Sequence, residues 1–406
     1  MNDAVFTNAR IVTPTAVMEK GTLTIRDGMI VSVTEGSDPA APRGADVVDC
    51  HDRLLMPGLV DLHNDGIEQE LEPRPRAVFP FPVALQSLEA RLVSHGITTI
   101  FHSFSFLDGR EGTLRPDRLE PAVRELNTLR KTGVIRHLVH ARYEIAETRH
   151  YEAICRMVDE RLVNLVSFMD HTPGQGQYRN PEHLVNYYVR KYNTPMGEID
   201  SFLRARKEKA MDPQVAPTLA RLAAHVRAAG LPMASHDDDS ADKVARMSAL
   251  GVTISEFPVE MEAARAAFEK GMHVAVGAPN VLRGGSTSNN LAATEAIAHG
   301  AVSVLCSDYY TPALLHAVFR LAREGLVPLP QAVRMVSANP ARAAGLDREL
   351  GSLEPGKRAD MVLVSDAAEV PSVVGVWVGG HRVLSKHDSG LAALGEQWAR
   401  EVANAS

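Results

Sequence analysis

The chain has 406 residues, 45% of them hydrophobic, and this length can bury a large core. Its formal net charge of −7 argues against general attraction to nucleic acid or an anionic membrane, so an anionic substrate would need locally placed cations. Cys50, Cys155 and Cys306 form no CxxC pair, which argues against disulfides and thiolate zinc sites and fits a reducing cytoplasm. The N-terminus has no signal-peptide pattern, and no apolar run approaches the length of a membrane span.

Both ends of the chain have the pattern of short strands joined by turns. Apolar and polar residues alternate in AVFTNARIVT, GTLTIRDGMIVSVTEG and ADVVDCHDRLLMP, and again in GSLEPGKRADMVLVSD and VVGVWVGGHRVL. We therefore expect residues 1–56 and 346–385 to pair as one small β-sandwich domain. The closing run LAALGEQWAREVANA predicts a terminal helix within 386–406.

Between these ends, apolar β-branched runs alternate with helical stretches. Strands are predicted at 58–65, 96–104, 136–145, 164–172, 231–239, 252–258, 273–280 and 302–308. Buried parallel strands have near-continuous apolar sequences, and this many strand–helix units favour a closed (β/α)8 TIM barrel over residues 57–345. The longest interval, roughly 173–230, must hold an inserted loop and extra helices.

Polar side chains cluster where the barrel strands end, which is where barrel enzymes place their active sites. Taken singly, a strand-end histidine is usually a hydrogen-bonded structural residue, and the run Asp237 to Asp239 could begin a helix or form a solvated rim. Taken together, the set would repel itself unless a cation compensated it. We therefore predict one or two divalent metal ions, bound by His63, Asp65, Glu144, His171, His236 and Asp308, with Glu256 as a weaker member that could instead orient a ligand.

Imidazole and carboxylate ligands together suit zinc, manganese or iron. Zinc is favoured by the histidines, whereas the oxygen ligands favour manganese. His63 and Asp65 can bind one ion because alternate residues of a strand share a face.

Two segments resemble the amidohydrolase superfamily. MPGLVDLHNDGIE is similar to its first-strand motif, and NPARAAGLDRELGSLEPGKRADMVLV is similar to its exit from barrel to sheet. Within the superfamily the chain most resembles the PhnM family of α-D-ribose 1-methylphosphonate 5-triphosphate diphosphatases, through EPRPRAVFP, HGITTIFHSFSF, ARYEI, SFMDHTPGQGQYRN, KYNTP, ASHDDD, ISEFPV, GAPNVLRGGSTSNN and CSDYYTPALLHA. It departs from the superfamily at Asp65, where a second histidine is common, and at Glu256, where many members have histidine.

The resemblance implies a metal-dependent hydrolase in which activated water attacks the α-phosphorus of a 5-triphosphate and pyrophosphate leaves. Asp308 resembles the superfamily's catalytic aspartate and would take the proton of the water. Glu144 could bridge two ions. The resemblance also implies a link to proteins of the carbon–phosphorus lyase pathway, and a homodimer is possible for barrels of this class.

Such a substrate is strongly anionic, so cations must surround the site. The candidates for substrate binding are Arg74, Arg76, Arg142, Arg179, Lys191 and Arg283. Gly284, Gly285 and Ser286 follow Arg283 and could bind phosphate through backbone N–H groups ahead of a helix. His102, at the predicted end of strand two, is either a substrate contact or a core histidine.

Two other functions stay open at this stage. The first is an amidohydrolase that cleaves a C–N bond of a cyclic amide or deaminates a ring, and such an enzyme would not need converging arginines. The second is a non-catalytic binding protein of the same fold, which would be expected to have lost several metal ligands together. A small anionic molecule remains the predicted partner.

Overall fold

The computed structural model describes residues 3–36, 44–107, 114–176, 196–286 and 290–386. The predicted terminal helix, and the predicted binding residues Arg179 and Lys191, lie outside the described residues. Within the described ranges, the strands form two sheets of eight strands each.

The first sheet joins both ends of the chain. Its strands are β1 (Ala4–Val12), β2 (Val17–Arg26), β3 (Met29–Glu35), β4 (Asp46–Asp49) and β5 (Leu54–Pro57), together with β14 (Met361–Ser365), β15 (Ser372–Val378) and β16 (His381–Ser385). The order is β16-β15-β14-β5-β1-β2-β3, and β4 pairs with β1 off this path. The sheet therefore branches at β1, where β4 pairs with its first half and β5 with its second.

The branched sheet encloses a core of its own. The rings of Phe6 and Trp377 meet edge to face with their centroids 4.9 Å apart, and both are buried. The predicted pairing of the two chain ends is confirmed by this sheet. The domain boundaries drawn from the sequence stay a prediction.

The second sheet is the barrel, and all eight predicted strands are present in chain order. They are β6 (Leu59–Asn64), β7 (Ile97–Phe106), β8 (Arg136–Glu144), β9 (Leu165–Met169), β10 (Met233–His236), β11 (Ile254–Glu256), β12 (His273–Gly277) and β13 (Val304–Cys306). Each pairs in parallel with the next. The ring closes between β6 and β13, where Asp308 N donates to His63 O and Asp65 N to Asp308 O, both at 2.9 Å.

Helices follow most of the barrel strands, as the sequence pattern predicts. Among the described residues they are α1 (Gly66–Leu71), α2 (Phe81–Ser94), α3 (Pro116–Leu129), α4 (Tyr151–Asp159), α5 (Met196–Ala210), α6 (Val215–Ala228), α7 (Ala241–Ala249), α8 (Met261–Glu269), α9 (Ala278–Arg283), α10 (Ala293–Ala298), α11 (Ala313–Arg323), α12 (Leu329–Arg334) and α13 (Ala338–Ala343). Prolines in the first turn begin α2, α3, α9 and α12, where the missing N–H has no intrahelical partner to lose. In the part of the chain that is described, no helix has the length and apolarity needed to span a membrane.

One end of the barrel is closed by apolar packing. Ala341 of α13 and Leu350 belong to the same buried cluster as residues that begin barrel strands, including Leu165, Ile254 and Val304. The carboxyl ends of the strands are therefore the end that remains for polar chemistry.

An ion pair joins the barrel to the sheet of the chain ends. The guanidinium of Arg136, the first residue of β8, binds the carboxylate of Asp360, just before β14. Asp360 also accepts a hydrogen bond from Gly379 N at 2.8 Å. This junction lies at the starting end of β8, whereas the polar cluster lies where the strands end.

His102 was predicted at the end of strand two, but β7 continues to Phe106 and places it mid-strand. His102 Nε2 lies 2.9 Å from His137 Nδ1, and His137 Nε2 lies 2.9 Å from Glu89 Oε1 on α2. Burial, with a smaller contribution from His137, lowers the pKa of His102 well below its ordinary value. His102 is thus a core histidine rather than a substrate contact.

We expect His102→Gln to reduce the pH dependence of stability. The folded protein resists protonation of His102, so the unfolded chain binds the extra proton as the pH falls below about 6.5, and folding loses up to about 1.4 kcal/mol per pH unit from this residue. Urea unfolding of metal-free wild type and variant from pH 8 to pH 5 measures this. The difference in free energy of unfolding between wild type and variant should shrink as the pH falls. Parallel plots of this free energy against pH would contradict the assignment.

Candidate metal centre

Three groups of possible metal ligands meet at the carboxyl ends of the barrel strands. Within each group, one ligand atom from every residue lies within 4.8 Å of the others. The groups are His63 with Asp65 and Asp308, His171 with His236 and Asp237, and His63 with His140 and Glu256. Most of the predicted ligands are therefore brought together, along with two residues that the sequence prediction did not include.

A β-bulge turns His63 into the barrel. Asp61 pairs with Ile100 and Asn64 with His102, so two residues of β6, Leu62 and His63, lie opposite the single residue Phe101. A bulge of this kind redirects side chains next to functional sites. As a result His63 is buried and points to the carboxylate of Glu256.

Behind this bulge, a buried polar network holds β6 against β13. The Asp61 carboxylate accepts hydrogen bonds from Ser307 N at 3.0 Å and from the Ser307 hydroxyl. Asn64 Nδ2 donates to the same hydroxyl oxygen at 2.6 Å. Burial raises the pKa of Asp61 to about 6. The first aspartate of the DLHND run therefore positions the strand and belongs to none of the ligand groups found among the described residues.

Glu256 binds two histidines at once. Its Oε1 lies 2.8 Å from His63 Nδ1, and its Oε2 lies 3.1 Å from His236 Nδ1. Burial opposes its charge, but His63 holds the pKa of Glu256 well below the usual range. Burial likewise disfavours a charged His63, yet Glu256 outweighs it and raises the pKa of His63 to about 10. A carboxylate that accepts from Nδ1–H leaves Nε2 of each ring to bind a metal.

Glu144 has the corresponding relation to His171. Its Oε2 lies 2.8 Å from His171 Nδ1, and its Oε1 accepts from His171 N at 3.1 Å. Both oxygens are therefore engaged by one residue, and Glu144 belongs to none of the ligand groups found among the described residues. The geometry gives Glu144 the place of an orienting carboxylate and does not support the predicted bridging role.

Asp237 was missed as a ligand because the sequence offered a helix start or a solvated rim as simpler interpretations. Its φ of 53° is left-handed, and Oδ2 lies 3.6 Å from His236 Nε2 and 3.8 Å from His171 Nε2. This oxygen is buried and has no hydrogen-bond partner in the described part of the chain. The available signal was the HDDD run directly after a buried strand.

His140 was also missed. Its Nδ1 donates to Leu62 O at 3.0 Å, while Nε2 is buried without a hydrogen-bond partner among the residues described. Burial lowers the pKa of His140 to about 3, so the ring is neutral with a lone pair on Nε2. The available signal was alternation, since His140 shares a face of β8 with Arg142 and Glu144.

Asp308 lies where β13 meets β6, and its carboxylate faces the centre. Burial, the neighbouring Asp65 and the more distant Glu256 raise the pKa of Asp308 to about 7, against the opposing effect of His63. A carboxylate whose pKa lies near neutrality is suited to accepting a proton.

Of the arginines predicted to bind substrate, Arg142 reaches the centre. Its Nη1 lies 3.4 Å from Asp65 Oδ1 and its Nη2 lies 3.1 Å from His236 Nε2, and the residue is buried. Arg74, Arg76 and Arg283 are exposed. Two further cations were missed in the inserted interval: Arg206 donates to His171 O at 3.2 Å, and Lys209 binds Glu147 at 2.8 Å.

The hydrogen bonds of Gly284 and Gly285 do not support the predicted phosphate loop. Gly284 N donates to Asn280 O and Val281 O, and Gly285 N donates to Asn280 O. These N–H groups therefore complete the end of α9, where Gly284 adopts the left-handed conformation with φ 77°. Ser286 follows and is half-buried. A helix carboxyl end presents a negative dipole, which does not favour phosphate.

The donor set fits a divalent cation. Imidazole nitrogen and carboxylate oxygen are ligands for zinc, manganese and iron. The unpartnered Asp237 Oδ2 and His140 Nε2 are buried lone pairs, and a buried acceptor left unsatisfied is costly unless something binds it. The carboxylates Asp65, Asp237 and Asp308 also supply charge that a cation would compensate.

Comparison with known proteins agrees with this architecture. Residues 200–383 match the model of the amidohydrolase family. The chain is 35% identical over 390 residues to alpha-D-ribose 1-methylphosphonate 5-triphosphate diphosphatase from Escherichia coli strain K12, covering 94% of this chain and 100% of that enzyme. The chain belongs to the amidohydrolase family. The resemblance inferred from the sequence is thereby confirmed.

More distant relatives of this amidohydrolase have other activities. The chain is 24% identical over 371 residues to adenine deaminase from Paracoccus denitrificans strain Pd 1222. The match covers 86% of this chain and 51% of that enzyme. N-acetylglucosamine-6-phosphate deacetylase from Pasteurella multocida superposes with a TM-score of 0.64 at 13% identity, over 94% of this chain and all of that one. The structural similarity confirms the predicted barrel with its sheet from the chain ends.

Proposed function

We propose that this amidohydrolase is a metal-dependent diphosphatase that releases pyrophosphate from α-D-ribose 1-methylphosphonate 5-triphosphate. The observation that carries the proposal is the 35% identity to the E. coli diphosphatase over essentially the full length of both chains. A link to the carbon–phosphorus lyase pathway follows from the same similarity. A cytoplasmic location is consistent with three cysteines that are all free. The homodimer stays a prediction.

Two metal positions account for two of the three ligand groups. In the first, His63 Nε2 acts with Asp65 and Asp308. In the second, His171 Nε2 and His236 Nε2 act with Asp237. Glu256 and Glu144 then orient the three histidines through Nδ1, an arrangement common around protein-bound metals. Zinc is the favoured ion, and manganese and iron are the alternatives.

Asp308 is proposed to accept the proton of the attacking water. When bound, divalent ions lower the pKa of water and polarise a phosphoryl oxygen. Water attacks the α-phosphorus, its proton passes to the Asp308 carboxylate, and the bond to the bridging oxygen breaks so that pyrophosphate leaves. The raised pKa of Asp308 suits it to hold that proton near neutral pH.

Arg142 is proposed to bind the triphosphate. Its guanidinium lies at the centre between Asp65 and His236, where it can turn toward phosphate oxygens. The substrate also needs cations outside the metal positions, because the chain as a whole is acidic. Arg206 and Lys209 on α5 border the His171 side of the site and are further candidates.

We expect Arg142→Met to raise the KM for a 5-triphosphate about ten- to a hundredfold, because charge-assisted hydrogen bonds contribute roughly 1.5–3 kcal/mol each. Methionine keeps the length of the side chain and removes the charge. Steady-state kinetics on Arg142→Met, with Arg76→Met and Arg283→Met as exposed comparisons, measures the difference. Equal KM values for wild type and Arg142→Met would contradict the assignment.

A product assay tests the function as a whole. Zinc- or manganese-loaded protein is incubated with ribosyl and nucleoside 5′-triphosphates, cyclic amides and adenine, and pyrophosphate, free carboxylate and ammonia are measured. The proposal expects pyrophosphate from α-D-ribose 1-methylphosphonate 5-triphosphate. Ammonia release from adenine would instead favour the C–N hydrolase, which the similarity to adenine deaminase makes the second candidate.

A further inference from the structure

His236 and Asp237 are consecutive, yet both side chains face the same point. Neighbouring residues of an extended strand normally point to opposite faces. Here Asp237 adopts a left-handed φ of 53°, which brings its Oδ2 to 3.6 Å from His236 Nε2. Non-glycine residues adopt this conformation at a cost in free energy, so the surrounding structure must hold it.

The group that holds this turn is the ammonium of Lys243. Its Nζ donates to His236 O at 2.8 Å and to Asp237 O at 3.1 Å. One side chain therefore fixes the carbonyl groups before and after the Cα of Asp237, the residue with the left-handed conformation. Lys243 is only 4% exposed, so water does not compete for these carbonyls.

The carboxylate of Asp238 balances the charge of Lys243. Its Oδ1 lies 3.7 Å from Lys243 Nζ, and its Oδ2 accepts from the hydroxyls of Ser235 at 2.5 Å and Ser255 at 2.6 Å. Asp238, Ser235 and Ser255 are completely buried. Two neighbouring strands, β10 and β11, thus anchor the aspartate that neutralises the lysine.

Stability alone does not explain this arrangement. A buried ion pair is often no better for stability than apolar side chains of the same volume. Lys243 also lies in the first turn of α7, where the helix dipole disfavours a cation. The position of Lys243 is therefore better explained by its hydrogen bonds to the carbonyl groups of His236 and Asp237.

We propose that Lys243 is a positioning residue for the metal position formed by His171, His236 and Asp237, and that Asp238, Ser235 and Ser255 hold it in place. Lys243 contacts neither metal nor substrate. It keeps the left-handed turn at Asp237, so that the imidazole of His236 and the carboxylate of Asp237 bind one ion. The inference rests on the proposed function, because it requires the two metal positions.

The test compares metal binding by wild type and the double variant Lys243→Met/Asp238→Asn. The pair of changes removes both charges together, so no unpaired buried charge remains, and the asparagine oxygen can still accept from the serines. Zinc titration by calorimetry should show one ion bound about ten- to a hundredfold more weakly and the other unchanged. Adding His171→Gln to the double variant should weaken that ion further and leave the other unchanged, because both changes act on the same ion.

Two controls separate positioning from general damage. Arg136→Met/Asp360→Asn removes another barrel ion pair with a buried aspartate and should leave both zinc affinities unchanged. Lys243→Arg keeps the positive charge and the N–H donors, so this variant should retain most of the wild-type zinc affinity. If the double variant does not fold, Ser255→Ala, which loosens Asp238 while keeping both charges, must weaken the same ion selectively.

The outcomes distinguish this inference from the proposed function. A wild type that binds no divalent ion overturns both. A wild type that binds two ions, with a folded double variant that binds both at wild-type affinity or loses both equally, overturns the positioning role alone. Selective loss of one ion, with thermal unfolding close to wild type, supports it.

Discussion

Asp308→Asn is expected to lower turnover far more than it weakens the binding of metal or substrate. Asparagine has nearly the same shape but cannot accept the proton of the attacking water. General base catalysis contributes about 10²–10⁴-fold, so kcat should fall by that factor with little change in KM. The raised pKa of Asp308, which is half-buried, supports this role.

Pyrophosphate release measured at saturating substrate, with metal content determined by mass spectrometry, separates chemistry from ligand loss. The matched control is Asp347→Asn, which changes an aspartate that is 40% exposed and follows α13, the helix that closes the opposite end of the barrel. Its kcat should equal that of wild type. If Asp308→Asn loses its metal first, Asp308 acts mainly as a ligand, and the catalytic role would have to be reassigned.

Glu256→Gln is expected to weaken metal binding at the centre. Glu256 accepts hydrogen bonds from Nδ1 of both His63 and His236. A glutamine amide can accept from one ring with its oxygen, but its NH₂ group must donate to the other. The second histidine then carries its proton on Nε2 and cannot bind metal there. We expect about ten- to a hundredfold weaker binding of at least one ion.

The control for this experiment is Glu89→Gln, which alters another glutamate that binds a buried histidine. Glu89 pairs with His137 outside the metal centre, so metal affinity should not change even if stability does. Zinc or manganese titration of both variants, together with circular dichroism, distinguishes the two effects. Wild-type affinity in Glu256→Gln would show that the carboxylate does not determine how these histidines are oriented.

The order of elements was determined by the sequence itself. Apolar runs mark the eight barrel strands because strands buried on both faces need apolar residues throughout. Alternating segments at both ends mark the second sheet. Strand-end polar residues such as His63, His171, His236 and Asp308 were predictable for the same reason, since parallel strands of one barrel end at the same level.

The direction of individual side chains was decided only by the tertiary structure. His140 and Asp237 belong to the candidate ligand groups, but neither has a distinctive local pattern. Asp237 points into the site because of a left-handed turn that Lys243 holds from the next helix, and His63 points inward because of a bulge against β7. Such conformations depend on partners distant in sequence, which local propensity does not contain.

The roles of chemically similar groups also needed the three-dimensional contacts. Glu144 and Glu256 lie at strand ends like the other candidate ligands, and only their distances of 2.8 Å to imidazole Nδ1 atoms indicate an orienting role. Gly284 and Gly285 look like a phosphate loop, but they end α9 instead of beginning a helix. Composition determines what a residue can bind, whereas the position of its neighbours determines which of those partners it meets.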